Sequence, residues 1–325
     1  MRLRYVLAVL LTAAVGTMSG CASLPDLEGM QSHREFAQED SRFAVIDGIE
    51  IHYKEYGGGE EALVMLHGFL SNLHTWDYVG EELQDSYKVY VYDRLAFGIT
   101  ERPVTDRDGK SFTRDTNPYA SDRVLQRLVQ LLDYWDVESA VLVGNSAGAN
   151  LAVQAALAYP ERVSALVLTA PAVYRSGPPG IARLLIRTGL FNRFALRYIR
   201  SFQDQDDSIF ESSWHYPELM PDELKAWYRQ PLGVENWDRA LWEYTRMNRD
   251  PGIVKRLGEL ELPILIIHGS EDQVVPVDQS ERLVQDIPHA RLIIFEETGH
   301  APQEERPAET AKLMREFLQE LRSAE

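Results

Sequence analysis

Three residues of the sequence have the types and the order needed for acyl transfer by a nucleophilic serine. Ser146 lies in the pentapeptide GNSAG at 144–148, which matches the pattern G-x-S-x-G. An alcohol is a poor nucleophile at neutral pH, so it requires a histidine base and a carboxylate that holds the histidine in one tautomer. Asp272 and His300 each follow a short apolar run near the C-terminal end of the chain. The sequence therefore predicts a catalytic triad of Ser146, Asp272 and His300.

The elements that would position these residues follow from the hydrophobic pattern. Short apolar runs without alternation are typical of strands buried on both faces of a parallel sheet. Segment 43–56 alternates around Asp47-Gly48, which predicts an antiparallel β-hairpin. The predicted buried strands are 62–66, 89–92, 140–143 and 163–168, and further strands are predicted at 263–267 and 291–295. The predicted helices are 122–135, 149–159, 279–286 and 310–321.

The flanks of Ser146 agree with a sharp strand-to-helix turn. The pentapeptide comes after the predicted strand 140–143 and before the predicted helix 149–159. A serine at such a turn adopts a strained backbone conformation, and side chains at either flank would collide with neighbouring elements. Both flanking positions are therefore glycine.

Five segments in this order resemble the α/β-hydrolase superfamily over residues 43–322. They are HGF at 67–69, DRLAFG at 93–98, the serine pentapeptide, and the segments HGSEDQVVP at 268–276 and ETGHAP at 297–302. The resemblance implies an α/β fold with a mostly parallel eight-stranded sheet, helices on both faces and a helical cap insertion. It also implies an oxyanion hole formed by the backbone N–H groups of Phe69 and Ala147. Ala147 would open a helix, whose N-terminus favours negative charge. Ala96 stands where the family commonly has glycine.

Rival residues and other kinds of site are less well supported. Glu271 is the nearest rival to Asp272, but alignment of the Val-Val-Pro that follows places the acid at Asp272; Asp93 is a weaker rival. His67 and His268 are expected to brace loops. The sequence has no H-E-x-x-H or similar metal-binding spacing, so we expect neither a metal nor a cofactor.

The strand–helix alternation breaks between residues 172 and 250, and this predicts an insertion. Residues 42–171 and 251–325 then form the hydrolase core, and 172–250 form a helical cap. The insertion contains Trp214, Trp227, Trp237 and Trp242. Most of them are expected to form the apolar core of the cap, and some to line an acyl pocket.

The N-terminus has the layout of a signal peptide. Arg2 and Arg4 precede an apolar run that ends at Val15, and Ser19-Gly20 then precedes Cys21, the only cysteine. This resembles a bacterial lipobox, although Met18 stands where leucine is usual. We therefore predict a signal peptide over residues 1–20, lipidation at Cys21 and a tether over 21–41. The predicted location is the cell envelope, in the outer membrane if the cell has one, and otherwise periplasmic or secreted.

Charge and motifs together lead to a predicted reaction. The net charge is −17, from 33 basic and 50 acidic residues, which argues against a nucleic-acid partner. The leading prediction is hydrolysis of carboxylic esters through an acyl-enzyme. A carbon–carbon bond hydrolase and a perhydrolase of the same superfamily remain open, whereas dehalogenases and epoxide hydrolases use an aspartate nucleophile. A non-catalytic surface-binding lipoprotein is the alternative of another class. The acyl-chain preference and the oligomeric state stay open.

Overall fold

The computed structural model describes residues 27–106, 108–113, 115–174, 192–205, 207–247 and 252–324. The predicted signal peptide, residues 1–20, and Cys21 lie outside the described residues, as do parts of the predicted cap. The lipid anchor therefore stays a prediction from the sequence.

The described strands form a single sheet of eight. They are β1 (Arg42–Ile46), β2 (Ile49–Tyr56), β3 (Ala62–Leu66), β4 (Lys88–Tyr92), β5 (Ala140–Asn145), β6 (Val163–Thr169), β7 (Ile264–Gly269) and β8 (Arg291–Phe295). Their order is β1-β2-β4-β3-β5-β6-β7-β8. β2 is antiparallel to β1 and β4, and all other neighbours are parallel. The predicted fold class is confirmed, and the predicted ends of β3 to β8 differ from those observed by at most two residues.

The first two strands form the predicted hairpin. Ile46 pairs with Ile49 across the two-residue turn. Asp47 has φ 54° and Gly48 has φ 79°, as a type I′ turn requires at both central positions. This turn matches the twist of the strands and sets their register.

Helices cover both faces of the sheet. The helices are α1 (Asp77–Leu83), α2 (Ser121–Tyr134), α3 (Ala147–Ala158), α4 (Asn192–Arg200), α5 (Ser208–Glu211), α6 (Asp222–Arg229), α7 (Trp237–Met247), α8 (Asp278–Asp286), α9 (Pro302–Glu305) and α10 (Pro307–Ala324). α1 and α10 pack on one face, and α2, α3 and α8 pack on the other. Within the described ranges, no helix has both the length and the apolar character of a bilayer-spanning segment.

Two apolar clusters fill the space between the sheet and these helices. In β3, Leu63 and Met65 belong to the cluster under α1 and α10, whereas Val64 and Leu66 belong to the cluster under α2 and α3. All four side chains have 0% exposure. Because successive side chains of a strand point to opposite faces, a strand covered on both sides is apolar at every position. This explains the absence of alternation in the sequence.

The described part of the predicted cap segment is helical. It contributes α4 to α7. Trp237 and Trp242 are buried in the larger apolar cluster. Trp227 instead stacks on His74 of the hydrolase core at 4.1 Å, and the indole N–H of Trp214 donates to a glutamate of α9. Half of these tryptophans therefore hold the cap segment to the core.

The segment before β1 departs from the prediction. Gln31 forms a parallel bridge with Val234 of the cap segment, and its N–H donates to the carbonyl of Gly233 at 3.0 Å. Lys54 of β2 pairs with Asp40 at 3.0 Å. The predicted tether over 21–41 is therefore wrong for residues 31–41, which pack on the domain. Polar residues without an apolar period can still pair with exposed backbone groups, and no hydrophobic pattern shows it.

Candidate active site

Ser146 occupies the sharp turn between β5 and α3. Its backbone has φ 53° and ψ −113°, a conformation that is unfavourable for a residue with a side chain. A Cβ added to Gly144 would lie 2.5 Å from the nitrogen of Ala149, and one added to Gly148 would lie 2.1 Å from the carbonyl oxygen of Leu66. Only glycine fits at either flank, as the sequence predicted. The turn holds Ser146 at the carboxyl edge of the sheet.

Asp272 and His300 meet at the same edge. Asp272 follows β7 and His300 follows β8, each in the loop after the strand. The Nδ1 atom of His300 lies 2.7 Å from Oδ2 of Asp272, and the two residues are only 7% and 8% exposed. With Nδ1–H donating to the carboxylate, Nε2 is left to act as a base.

The backbone around Asp272 keeps its carboxylate ionised. Oδ1 accepts from the N–H groups of Val274 at 2.7 Å and Val275 at 2.8 Å, and Oδ2 also faces Nε2 of His268 at 3.1 Å. Burial favours the protonated acid, but the donors His268, His300 and Val275 outweigh it, so the pKa of Asp272 lies below its ordinary value. Asp272 is therefore an acceptor for His300 at neutral pH.

His268 braces this loop, as the sequence predicted. It is fully buried, and its Nε2 faces both Asp272 and the carbonyl of Val275 at 2.9 Å. Both groups are acceptors, so Nε2 carries the proton. Nδ1 then accepts from the hydroxyl of Ser280 at 2.6 Å. His268 thus links the acid loop to α8.

Glu271 does not take the position of the acid. Its side chain is exposed and accepts from the hydroxyl of Ser270 at 3.4 Å. Its backbone N–H donates to the carbonyl of Thr298 at 2.9 Å. The geometry places Asp272, and not Glu271, against His300.

Asn145 connects the serine turn to the histidine loop. Its Nδ2 donates to the carbonyl of His300 at 3.2 Å and lies 3.4 Å from the carbonyl of Thr169. The N–H of Ser146 donates to that same carbonyl of Thr169 at 3.0 Å. Within the described part of the chain, no hydrogen bond joins Ser146 Oγ to His300 Nε2. Such bonds often tighten only when substrate is present, so proton transfer requires these two side chains to approach each other.

One expected oxyanion donor, Ala147, follows Ser146 in the chain, and the other, Phe69, follows Gly68, where an added Cβ would lie 3.4 Å from the Cβ of Ser146. Ala147 is the first residue of α3, and Phe69 lies in the loop after β3. Among the described residues, the backbone N–H of neither Phe69 nor Ala147 has a hydrogen-bond partner. The positive end of the helix dipole adds to the attraction for a negative oxygen at Ala147.

His67 fixes the loop that carries Phe69. Its Nδ1 donates to the carbonyl of Gly68 at 2.7 Å, and its Nε2 accepts from the backbone N–H of Arg94 at 3.0 Å. Burial, and then the charge of Arg94, lower the pKa of His67 to about 3. His67 is therefore neutral and has one defined tautomer.

The cap segment contacts the histidine loop directly. The N–H of His300 donates to the carbonyl of Ser213 at 2.6 Å. The carboxylate of Glu305 accepts from the backbone N–H of His215 at 2.9 Å and from that of Gly299 at 2.7 Å. The cap turn at residues 213–215 is therefore bound to His300 directly and to Gly299 through the carboxylate of Glu305.

A second glutamate of the same short helix adds to this junction. Glu304 is 3% exposed and accepts from Trp214 Nε1 at 2.8 Å, Tyr228 OH at 2.5 Å and Thr75 Oγ1 at 2.5 Å. Burial raises the pKa of Glu304, although these donors oppose the shift. Sequence reasoning missed both glutamates, because acidic residues in the first turn of a helix are ordinary. Only their nearness to His300 in the chain pointed to the site.

A small enclosed cavity lies between the cap and the loops after β3 and β4. Its volume is about 30 Å³, and its lining is mainly apolar, including Leu70, Phe97, Phe210 and Leu241. Arg102 is the one charged side chain in this lining. It is 4% exposed, donates to the carbonyl of Pro231 at 2.9 Å and has no carboxylate partner among the described residues. Burial lowers the pKa of Arg102 to about 10.

Other histidines and acids have structural partners away from the triad. His52 pairs with Asp93 at 2.7 Å, so the weaker rival for the acid serves another histidine. His74 pairs with Asp77 at 2.5 Å. Over the described ranges, no cluster of three or more His, Cys, Asp or Glu side chains is arranged to hold a metal ion.

Comparison with known proteins agrees with this fold. The sequence profile of the alpha/beta hydrolase fold family matches residues 61–307. A 2-hydroxy-6-oxononadienedioate/2-hydroxy-6-oxononatrienedioate hydrolase of Cupriavidus pinatubonensis (strain JMP 134 / LMG 1197) is 30% identical over 291 residues, which cover 86% of this chain and 95% of that protein. A 2-hydroxymuconate semialdehyde hydrolase of Pseudomonas sp. (strain CF600) is 30% identical over 296 residues, with coverage of 88% and 96%. The solved structure of a meta-cleavage product hydrolase from Pseudomonas fluorescens IP01 superposes with a TM-score of 0.67 at 24% identity, covering 86% of this chain and 98% of that one.

Proposed function

Because the chain belongs to the α/β-hydrolase fold family, we propose that it is a serine hydrolase that cleaves a carbon–carbon bond next to a carbonyl group. Two relatives that are 30% identical over 86% and 88% of the chain carry the proposal, since they hydrolyse a 2-hydroxy-6-oxo-dienedioate and a 2-hydroxymuconate semialdehyde. The substrate class is a conjugated 2-hydroxy-6-oxo acid. Ester hydrolysis, the leading prediction from the sequence, becomes the second candidate.

The first step is attack on the 6-oxo carbonyl. His300 accepts the hydroxyl proton of Ser146 while Asp272 holds the resulting imidazolium. The Ser146 oxygen bonds to the carbonyl carbon, and the carbonyl π electrons move to its oxygen. The oxyanion lies against the N–H groups of Phe69 and Ala147.

The second step separates the two products. When the tetrahedral intermediate collapses, the bond between carbons 5 and 6 breaks and its electron pair moves onto carbon 5. Before the attack, the hydroxyl proton at carbon 2 moves to carbon 5, which leaves a ketone at carbon 2 and a double bond between carbons 3 and 4. The charge left on carbon 5 after cleavage spreads through that double bond onto the oxygen of carbon 2, so carbon 5 is a competent leaving group. The imidazolium of His300 returns its proton to carbon 5. Water, deprotonated by His300, then attacks the acyl-enzyme and releases the carboxylic acid and Ser146.

Arg102 supports a substrate that carries a carboxylate. A buried guanidinium without an anionic partner is costly, and a substrate carboxylate would supply the missing charge. Leu70, the residue after Phe69, lines the same cavity as Arg102. A substrate carboxylate bound at Arg102 would therefore lie near the oxyanion loop.

Ester hydrolysis would use the same residues, and its leaving group is easier to expel than a carbanion. The leaving group is then an alkoxide, which His300 protonates on oxygen. Apart from Arg102, the side chains that line the small cavity are mainly apolar, which favours this second candidate because an uncharged part of the substrate would contact them.

A comparison of substrates tests the proposal. The purified enzyme is given a synthetic 2-hydroxy-6-oxo-dienoic acid, whose loss of visible absorbance reports cleavage, and a series of p-nitrophenyl esters of increasing chain length. We expect kcat/KM for the dienoic acid to exceed that of every ester by at least about 100-fold, a difference of roughly 3 kcal/mol in transition-state binding. Ser146→Ala is the matched control and should cleave neither.

The alternatives predict different outcomes. Ester turnover with an inert dienoic acid would replace the proposal by the second candidate. A fluorophosphonate probe that fails to label Ser146 would instead indicate a binding protein on a hydrolase scaffold, because such a probe reacts only with an activated serine.

We also propose that the mature protein is anchored to a membrane through a lipid on Cys21. The proposal is supported by the sequence alone, in which Cys21 follows an apolar run and small residues. Two or three acyl chains give stable membrane attachment where one gives marginal binding. The partner on this surface is then the cell-envelope membrane.

A further inference from the structure

The side chain of Arg94 hydrogen-bonds to the Gly68–Phe69 peptide group, which carries one of the two expected oxyanion donors. The carbonyl of Gly68 and the N–H of Phe69 belong to the same peptide group and point in opposite directions. This carbonyl accepts from Nη2 of Arg94 at 2.9 Å and from Nδ1 of His67 at 2.7 Å. Fixing the carbonyl of a planar peptide also fixes its N–H, so both donors set the direction of the Phe69 N–H.

Arg94 places a positive charge without an ion-pair partner in the described residues next to the Gly68–Phe69 peptide group. It is 2% exposed, its Nη1 donates to Tyr244 OH at 3.3 Å, and its Nε makes no hydrogen bond. The guanidinium lies 5.1 Å from the ring centre of Phe97. No acid in the described ranges forms an ion pair with it, and the neighbouring Asp93 pairs with His52.

We propose that Arg94 is a positioning residue that orients and polarises the Gly68–Phe69 peptide for oxyanion binding. The inference rests on the proposed serine chemistry at Ser146, but it holds for any acyl substrate. A hydrogen bond from a cation to a carbonyl draws electron density from the peptide and strengthens its N–H as a donor. The charge also attracts the oxyanion through space.

The size of the effect follows from the geometry. One hydrogen bond of 2.9 Å, the width of the peptide and a second hydrogen bond to the oxyanion place the guanidinium about 8 Å from the developing charge. At an effective dielectric constant of about 20, this attraction corresponds to a rate effect on the order of 10- to 30-fold. The substrate carbonyl carries little charge before attack, so the effect is expected in kcat rather than in KM.

Arg94→Gln and Arg94→Lys test the proposal, with Arg127→Gln as the matched control. Arg127 is similarly buried at 4% exposure and also donates to a backbone carbonyl, that of Pro118, but it lies away from the oxyanion loop. The measurements are kcat and KM for p-nitrophenyl acetate and the rate constant for labelling of Ser146 by a fluorophosphonate. Labelling also places a negative oxygen in the oxyanion hole and does not depend on the natural substrate.

We expect Arg94→Gln to lower both kcat and the labelling rate by about 10- to 30-fold, with KM changed by less than about threefold. Arg94→Lys keeps the charge but not the fork of donors, so its losses should fall between those of wild type and Arg94→Gln. Arg127→Gln should keep wild-type rates. An Arg94→Gln variant with wild-type labelling, or one that raises KM alone, would overturn the proposal.

Arg94→Lys decides the case if Arg94→Gln does not fold. A lysine variant that equals wild type in labelling and in kcat would then refute an orienting role of the guanidinium. Normal labelling of the wild type without cleavage of the dienoic acid would contradict the carbon–carbon reaction only, and would leave this inference to be decided by the variants.

Discussion

The buried His67 predicts a specific loss of stability in mild acid. An unfolded histidine has a pKa of about 6.5, whereas burial and then the charge of Arg94 lower the pKa of His67 in the folded protein to about 3. Between these values the unfolded chain binds a proton that the folded chain does not bind. Stability is therefore complete above about pH 6.5 and is lost as the pH falls towards 3.

The magnitude follows from linkage. Each pH unit in this window costs about 1.4 kcal/mol for one proton, so the free energy of unfolding should fall by about 2 kcal/mol between pH 6 and pH 4.5 from His67 alone. The full effect would be about 5 kcal/mol, comparable to the total stability of many domains. Burial of His67 is complete, so solvent screening does not reduce this figure.

Urea unfolding followed by tryptophan fluorescence at several pH values measures the effect. His67→Asn is compared with wild type, because the difference between their pH slopes removes the contributions of all other groups. Between pH 6 and pH 4.5, unfolding of the variant should take up about one proton fewer than unfolding of the wild type. His289→Asn removes an exposed histidine and should keep the wild-type slope. Equal slopes for wild type and His67→Asn would show that His67 is not held neutral in the fold, and would refute the reasoning.

Three further predictions concern the triad, the cap junction and the anchor. Ser146→Ala should lower turnover of a chromogenic substrate by about 10⁴- to 10⁶-fold, with Asp272→Asn nearly as damaging and Glu271→Gln mild; a worse defect in Glu271→Gln would reassign the acid. Glu305→Gln should lower kcat about 10-fold with a smaller change in KM, because only one of its two backbone partners keeps an acceptor; unchanged kcat would show that the junction does not position the base. Cys21→Ser should move the protein from the membrane fraction of its native host to the soluble fraction, and a free Cys21 thiol in the mass spectrum of the wild-type N-terminal peptide would contradict the anchor.

The sheet and the serine turn were predictable because their causes are local. A parallel strand covered on both faces needs an unbroken apolar run, and β3, which is buried at every position, has the bounds that its run predicts. At Gly144 the steric demand comes from Gly148 and Ala149, which are neighbours in the chain, whereas at Gly148 it comes from the carbonyl of Leu66 in β3. Both glycines nevertheless belong to one pentapeptide pattern that is visible in the sequence.

The identity of the acid was harder to predict from the residues alone. Glu271 and Asp272 are adjacent carboxylates in one loop, and their spacing from β7 does not separate them. The loop turns so that the N–H groups of Val274 and Val275 both reach Asp272. This choice depends on loop conformation, which the sequence reveals only through its resemblance to a family.

The contacts around His300 could not be predicted, because they join segments far apart in the chain. Ser213 and Trp214 lie about 90 residues before their partners in the histidine loop and α9. Neither a serine carbonyl nor an acidic residue at a helix start marks such a junction in a sequence. The packing of residues 31–41 was missed for the same reason, since backbone pairing leaves no side-chain pattern.

These contacts change how the cap should be understood. A cover that only shapes a pocket could be exchanged without effect on the base. Here the N–H of His300 donates to Ser213, and the carboxylate of Glu305 joins His215 to Gly299, the residue before His300. Opening of this turn would leave the half-buried carboxylate of Glu305 and the N–H of His300 short of partners, which is costly. The cap is therefore part of the framework that places the base, and movement of the cap and the position of His300 are coupled.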